Sequence, residues 1–119
     1  MPWKRSALIV EDQPFLGMVA SDVLRESGFE TYHAYDAAEA MAMLRAGPQI
    51  DVLVTDADLP GPVNGVQLTQ MVSRECPRVR AVIMTSDRVE RAGLPEGTSV
   101  LRKPYSSAEM SDLVLDSVC

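Results

Sequence analysis

Short apolar runs and helix-spaced apolar positions alternate along this chain. Ser6 to Val10 is a compact run that stops at Glu11-Asp12, and Glu30 to Ala34 is a second. Asp51 to Thr55, Val79 to Met84 and Ser99 to Arg102 supply three more. Apolar runs of this length, bounded by turn formers, predict strands buried on both faces of a parallel sheet. Between them the period changes. Asp12 and Pro14 read as an N-cap and a first-turn proline, Phe15, Leu16, Val19, Val23 and Leu24 recur at helical spacing, and Gly28 closes the helix. Asp36-Ala-Ala-Glu39 is a capping box opening a helix through Met41, Met43 and Leu44 to the stop at Gly47-Pro48. Gly65 to Glu75 carries Val66, Leu68, Met71 and Val72 and ends before Pro77. Ser106-Ser-Ala-Glu109 is a second capping box, and Met110, Leu113, Val114 and Val118 line the last helix. Arg88 to Thr98, interrupted by Gly93, Pro95 and Gly97, allows at most a short, poor helix.

Strand then helix, repeated, predicts an α/β fold: a doubly wound five-stranded parallel sheet with right-handed crossovers. Chains of this kind commonly take the strand order 2-1-3-4-5, with the switch point between strands 1 and 3. A strand buried on both faces cannot hold a charge in its middle, so Asp56 is expected at the carboxyl mouth of strand 3. Glu11 and Asp12 leave strand 1 beside it. Three carboxylates then share one cleft.

Composition narrows what such a cleft belongs to. With 119 residues and a hydrophobic fraction of 46%, the chain is expected to form one domain, 1–119. A net charge of −6 argues against a protein that grips nucleic acid through phosphates. No apolar run approaches the ~20 residues that span a bilayer, and none resembles a signal-peptide core. Two cysteines, Cys76 and Cys119, make no disulfide framework, so a cytoplasmic location is expected. Cys119, at the terminus, is expected to be reactive through exposure, and Cys76 to be structural.

Like charges crowded in a small site raise one another's pKa unless a cation relieves them. Oxygen ligands, few in number and completed by water, suit Mg²⁺ better than zinc or copper. Strand 4 brings the Thr85 hydroxyl and strand 5 the Lys103 ammonium to the same edge. A carboxylate, a metal, a hydroxyl and a cation are the parts of phosphoryl transfer, with Asp56 the natural acceptor for an aspartyl phosphate.

Glu11-Asp12, Asp56, Thr85 and Lys103-Pro104, in that order and at that spacing, resemble the receiver domain of two-component response regulators over essentially the whole chain. The resemblance implies a flavodoxin-like receiver fold. It implies that Glu11, Asp12 and Asp56 coordinate Mg²⁺, with the backbone carbonyl of Asp58 as a further ligand. Asp56 would accept a phosphoryl group from a sensor histidine kinase or a histidine phosphotransfer protein, and Thr85 and Lys103 would engage it. The Lys103-Pro104 bond would be cis. A downstream protein target, rather than nucleic acid or membrane, would read the result. The chain is expected to be a stand-alone switch and not an enzyme.

Three features depart from the common pattern. The loop Leu59 to Gly65 is one residue longer than in most receivers. Val100 stands three residues before Lys103, where the family usually has the aromatic of a Thr–Tyr switch pair. The stretch before strand 5 implies a short or irregular fourth helix. Two other readings stay open. One is a receiver-like interaction module that is never phosphorylated; the other is an aspartate-nucleophile phosphatase, for which Asp58 stands at the acid/base spacing. His33, the only histidine, reads as an ordinary strand-end residue, and Met41, Met43, Met71, Met84 and Met110 as core positions.

Overall fold

The structure, a computed structural model, describes residues 4–118. Trp3 and Cys119, with the exposure expected of the latter, lie outside them. β3 (Val52–Asp56) is the middle strand of a five-stranded parallel sheet in the order β2-β1-β3-β4-β5. Its partners are β1 (Ser6–Val10) and β4 (Arg80–Thr85), with β2 (Glu30–Ala34) and β5 (Ser99–Arg102) at the edges. The expected topology holds. All residues of β1 and β3 are buried, as strands covered on both faces must be.

Alternation within those strands sorts the core into two layers. Ala7, Ile9, Val52 and Val54 face α1 (Pro14–Glu26) and α4 (Ser107–Val118), meeting Ala20, Leu24, Met110 and Val114. Leu8, Val10 and Leu53 face the other way, onto Ala40 and Met41 of α2 (Ala37–Ala46) and Leu68 and Val72 of α3 (Gly65–Glu75). Met41, Met84 and Met110 are buried and Met43 and Met71 partly so, as expected of gap-filling positions. Cys76 is half-buried beside the second layer.

Helix starts follow their caps. Asp36 accepts from the Glu39 N–H at 2.8 Å, although the Glu39 carboxylate reaches back to Tyr35 rather than to Asp36. Ser106 and Glu109 form the reciprocal box that the spacing predicts. Asn64 and Gln67 form another, at the head of α3.

Some expectations are corrected. Asp12 is not the N-cap of α1: Pro14 takes the first helical position, so the cap falls on Gln13, and the Asp12 carboxylate is left for other work. The inward face of α1 is also not the one its large residues suggest. Gly17, Ala20, Ser21 and Leu24 pack inward, while Phe15 is 72% exposed and Leu16, Met18 and Val19 also face out. Asp51 lies just before β3, where its carboxylate accepts the Ser6 N–H at 2.7 Å. β4 starts at Arg80, since the Val79 N–H closes a turn onto Cys76.

The connection from β4 to β5 holds no α-helix. Its one regular element is a 3₁₀ turn at Arg91–Gly93, where Gly, Pro and Gly punctuate the sequence. Gln70 of α3 ties it down through the Gly93 carbonyl at 2.6 Å, and Arg91 reaches the Thr98 carbonyl. Leu94 fills the space over Ala57 and Ile83, with Val89 and Val100 at its margin. Among the described residues no helix is long and apolar enough to cross a membrane.

Candidate functional site

β1, β3, β4 and β5 deliver their carboxyl ends to one edge, and each brings a polar group. Asp56 is the last residue of β3 and Thr85 the last of β4, while Glu11 and Lys103 directly follow β1 and β5. Ligand oxygens of Glu11, Asp12 and Asp56 all lie within 4.8 Å of one another. Glu11 and Asp56 are buried and Asp12 is exposed, so the cluster opens to solvent on one side. The convergence expected across the switch point is therefore present.

Every oxygen of the Asp56 carboxylate has a partner. Nζ of Lys103 lies 3.1 Å from Oδ2, and the Asp58 N–H donates to Oδ1 at 3.1 Å. Behind it, the Thr55 hydroxyl donates to the Asp56 carbonyl at 2.9 Å. The Lys103-Pro104 peptide is cis, as the resemblance implies.

Asp58 and Thr85 stand outside the acidic group. The Asp58 side chain is exposed and is not part of the acidic group; what Asp58 presents to Asp56 is its backbone N–H. The Thr85 hydroxyl is buried and engaged by its own chain. It accepts the Asp87 N–H at 3.0 Å and donates to the Asp87 carbonyl at 3.1 Å.

The charges are not at ease. Burial raises the Glu11 carboxyl from 4.5 to about 7; the Gln13 N–H opposes this, and the Asp56 charge adds to it. Burial disfavours the Lys103 ammonium, but its hydrogen bond to Asp56 and the charges of Asp56 and Glu11 outweigh that and raise its pKa. One ammonium thus stands against three carboxylates. A hard divalent cation would relieve the excess, and an all-oxygen donor set with an open side fits Mg²⁺.

Sequence reasoning overlooked Gly65. Its N–H donates to the Ala57 carbonyl at 2.8 Å, and a Cβ there would fall 1.9 Å from the Asp56 carbonyl oxygen. Glycine is what lets the head of α3 press against the backbone that carries Asp56. The signal was present in a glycine at the start of a helix, where it costs helix propensity. Beside the site, Leu16, Val19, Val23, Pro104 and Tyr105 line a groove of about 330 Å³ that reaches Glu11 and Lys103. The Tyr105 hydroxyl donates to Met84 Sδ at 3.2 Å, and burial raises its pKa.

A family model described as "Response regulator receiver domain" matches residues 7–115. The chain is 31% identical to the response regulator protein FleR of Pseudomonas aeruginosa over 90% of its own length and 23% of that protein's. It is 22% identical to the sporulation initiation phosphotransferase F of Bacillus subtilis over 90% and 88% of the two chains. The chain spans between 23% and 47% of the length of the first three curated relatives it matches. In fold it is similar to the chemotaxis response regulator CheY4 of Vibrio cholerae, with a TM-score of 0.85 at 18% identity, covering 97% of this chain and 99% of that one.

Proposed function

Because the chain belongs to the response regulator receiver domain family of two-component signalling, we propose that Asp56 accepts a phosphoryl group in a Mg²⁺-dependent reaction and that this switches protein–protein contacts. The observation that carries the proposal is the packing of the Glu11, Asp12 and Asp56 ligand oxygens within 4.8 Å, beside an ammonium 3.1 Å from Asp56. Glu11, Asp12 and Asp56 would hold the ion, with the Asp58 carbonyl added by analogy with the family. When bound, Mg²⁺ neutralises the oxygens of the incoming phosphoryl group.

The chain's own residues do the rest. The donor is a histidine kinase or a histidine phosphotransfer protein. An Asp56 oxygen attacks phosphorus, the phosphorus–nitrogen bond of the donor's phosphohistidine breaks, and its electron pair stays on the imidazole nitrogen, which then takes up a proton from solvent. Lys103 and the Asp58 N–H already aim at Asp56 oxygens and can follow the charge onto the phosphoryl group. Thr85 leaves Asp87 and turns its hydroxyl inward, which frees the start of the β4–β5 connection. With Val100 in place of an aromatic ring, that connection carries the output.

The outward-facing Phe15, Leu16, Met18 and Val19, continuous with the groove beside Lys103, supply an apolar surface on which a protein donor can seat itself. We take residues 1–119 as one receiver domain acting in the cytoplasm, with proteins rather than nucleic acid or membrane as partners. It is a phosphoryl acceptor and not a turnover enzyme.

Intact-mass spectrometry after incubation with Mg²⁺ and a small acyl phosphate tests this. One phosphoryl adduct is expected, lost without Mg²⁺ and lost in Asp56→Asn. An unmodified wild type, both with the small donor and with a phosphorylated histidine phosphotransfer protein, would overturn the proposal. The non-phosphorylated interaction module, which Val100 favours, would take its place.

A further inference from the structure

The only histidine in the chain is seated where two metal-site carboxylates are joined. His33 lies near the end of β2, paired with Ile9 of β1. Its Nε2 is 2.8 Å from the Glu11 carbonyl oxygen. A carbonyl can only accept, so Nε2 carries a proton in this contact.

The ring is held on two sides. Against α1 it occupies the space that a side chain at Gly17 would need: a Cβ there would fall 1.9 Å from Cε1, 2.3 Å from Nε2 and 2.7 Å from Nδ1. A glycine inside a helix lowers helix propensity relative to alanine, and here it makes room for the imidazole. On another side the Tyr35 ring lies 4.4 Å away, centroid to centroid, tilted by 35°.

What the contact holds matters more than the contact itself. The Glu11 N–H donates to the Ala34 carbonyl at 3.0 Å, the last backbone link from β1 to β2. Beyond it the N–H of Tyr35 is turned to Glu39, at 2.9 Å, and β2 leaves the ladder. The His33 side chain takes over as donor to the first carbonyl beyond β1. That carbonyl belongs to the single peptide unit linking Glu11 to Asp12, so its plane governs the relative direction of both carboxylates.

We propose that His33, seated in the notch at Gly17, is a positioning residue that fixes the Glu11–Asp12 peptide for Mg²⁺ binding. This rests on the reading of the acidic cluster as a Mg²⁺ site. Mg²⁺ demands near-ideal octahedral geometry, so an uncontrolled peptide rotation between two ligands is felt directly in affinity. Loss of an outer partner of a metal ligand commonly weakens metal binding 10- to 100-fold.

The test is a Mg²⁺ titration of the full chain by calorimetry, in the wild type, His33→Phe and His33→Gln, with thermal melts of each in metal-free buffer. Phe keeps a ring in the notch without a donor; Gln keeps an N–H at similar reach without a ring. About tenfold weaker Mg²⁺ binding in His33→Phe, restored in His33→Gln whatever the melting temperatures, is the expected result. Wild-type affinity in His33→Phe, or an equal loss in both variants, would overturn it. So would affinities that simply follow the melting temperatures. If His33→Phe does not fold, imidazole nitrogen shifts of the wild type above pH 8 decide: the Nε2–H tautomer supports the proposal and Nδ1–H overturns it. A wild type that takes up no Mg²⁺ sinks the phosphoryl-acceptor reading and this inference together. Failure of the variants alone sinks only this one.

Discussion

Gly65 stands directly behind Asp56: a Cβ on it would meet the Asp56 carbonyl oxygen at 1.9 Å and the Ala57 Cα at 2.8 Å. Both neighbours are backbone, so neither can swing aside as a flexible side chain would. Gly65→Ala is therefore expected to destabilise the fold by about 2 kcal/mol, as overpacking does, and to move Asp56. Urea unfolding is the measurement. Gly93→Ala, whose Cβ would meet nothing within 4 Å, is the matched control and should unfold close to wild type.

Among the described residues Lys103 is the one cation held against the acidic cluster by an ion pair, and it competes with any metal for Asp56. Lys103→Met should strengthen Mg²⁺ binding several-fold, a change on the order of 1 kcal/mol for a partly exposed pair. The same variant should lose most of its phosphoryl adduct, because the partner for the transferred charge is gone. Calorimetry and intact mass read the two effects, which run in opposite directions. A joint fall in both would show that Lys103 serves the fold instead.

Glu11 sets a pH dependence with an unusual sign. Its carboxyl rises from 4.5 to about 7 on folding, so the folded chain binds a proton that the unfolded chain releases. Its contribution is fully present below about pH 4.5 and is lost as the pH climbs through about 7. Over that window the metal-free protein should lose stability, by roughly 3 kcal/mol at most from this group. Denaturant unfolding between pH 5 and 8 in chelator should show the decline, and Glu11→Gln should flatten it. Mg²⁺ affinity should rise over the same window, since the metal displaces that proton.

Phe15 offers a cleaner test of donor docking than any residue of the cleft. It is 72% exposed and lies outside the acidic group. Phe15→Ser should leave the melting temperature within about 2 °C and leave modification by a small acyl phosphate unchanged. Transfer from a phosphorylated histidine phosphotransfer protein should fall at least several-fold. Equal rates from the protein donor would remove this face of α1 from the interface.

Some features of the molecule are written in its sequence and others are not. The five strands could be read because sheets covered on both faces need unbroken apolar runs. Asp56 could be placed because a carboxylate ending such a run has only the strand's mouth to occupy. The inward face of α1 could not be read that way. Phe15, Leu16 and Val19 have the right spacing for a core, yet the tight approach of helix to sheet at His33 selects Gly17, Ala20 and Ser21 instead. Asp12 and Pro14 suggested a cap because both residue types start helices; Pro14 at the first helical position moved the cap to Gln13. Thr85 ends β4 at the cleft, and its hydroxyl is satisfied locally by the Asp87 backbone, a contact that strand spacing does not reveal. Long-range packing decided the face of α1, and competing local backbone contacts decided the other two; residue spacing encodes neither.

The helix-free connection between β4 and β5 has a consequence for how the molecule opens. A helix adds amide bonds that must break together, whereas residues 86–98 are tied to the domain by side-chain links from Gln70 and the Thr85 hydroxyl and by the packing of Leu94, with Arg91 bracing the segment internally at Thr98. Such a segment can detach as its own cooperative unit, at a free energy well below that of unfolding the sheet. Its amides should exchange with solvent far faster than those of β3, and the arrival of charge at Asp56 need only shift that local equilibrium. Under the proposed function the domain would be two thermodynamic bodies in one chain: a rigid sheet that holds the chemistry, and a separately latched flap that reports it.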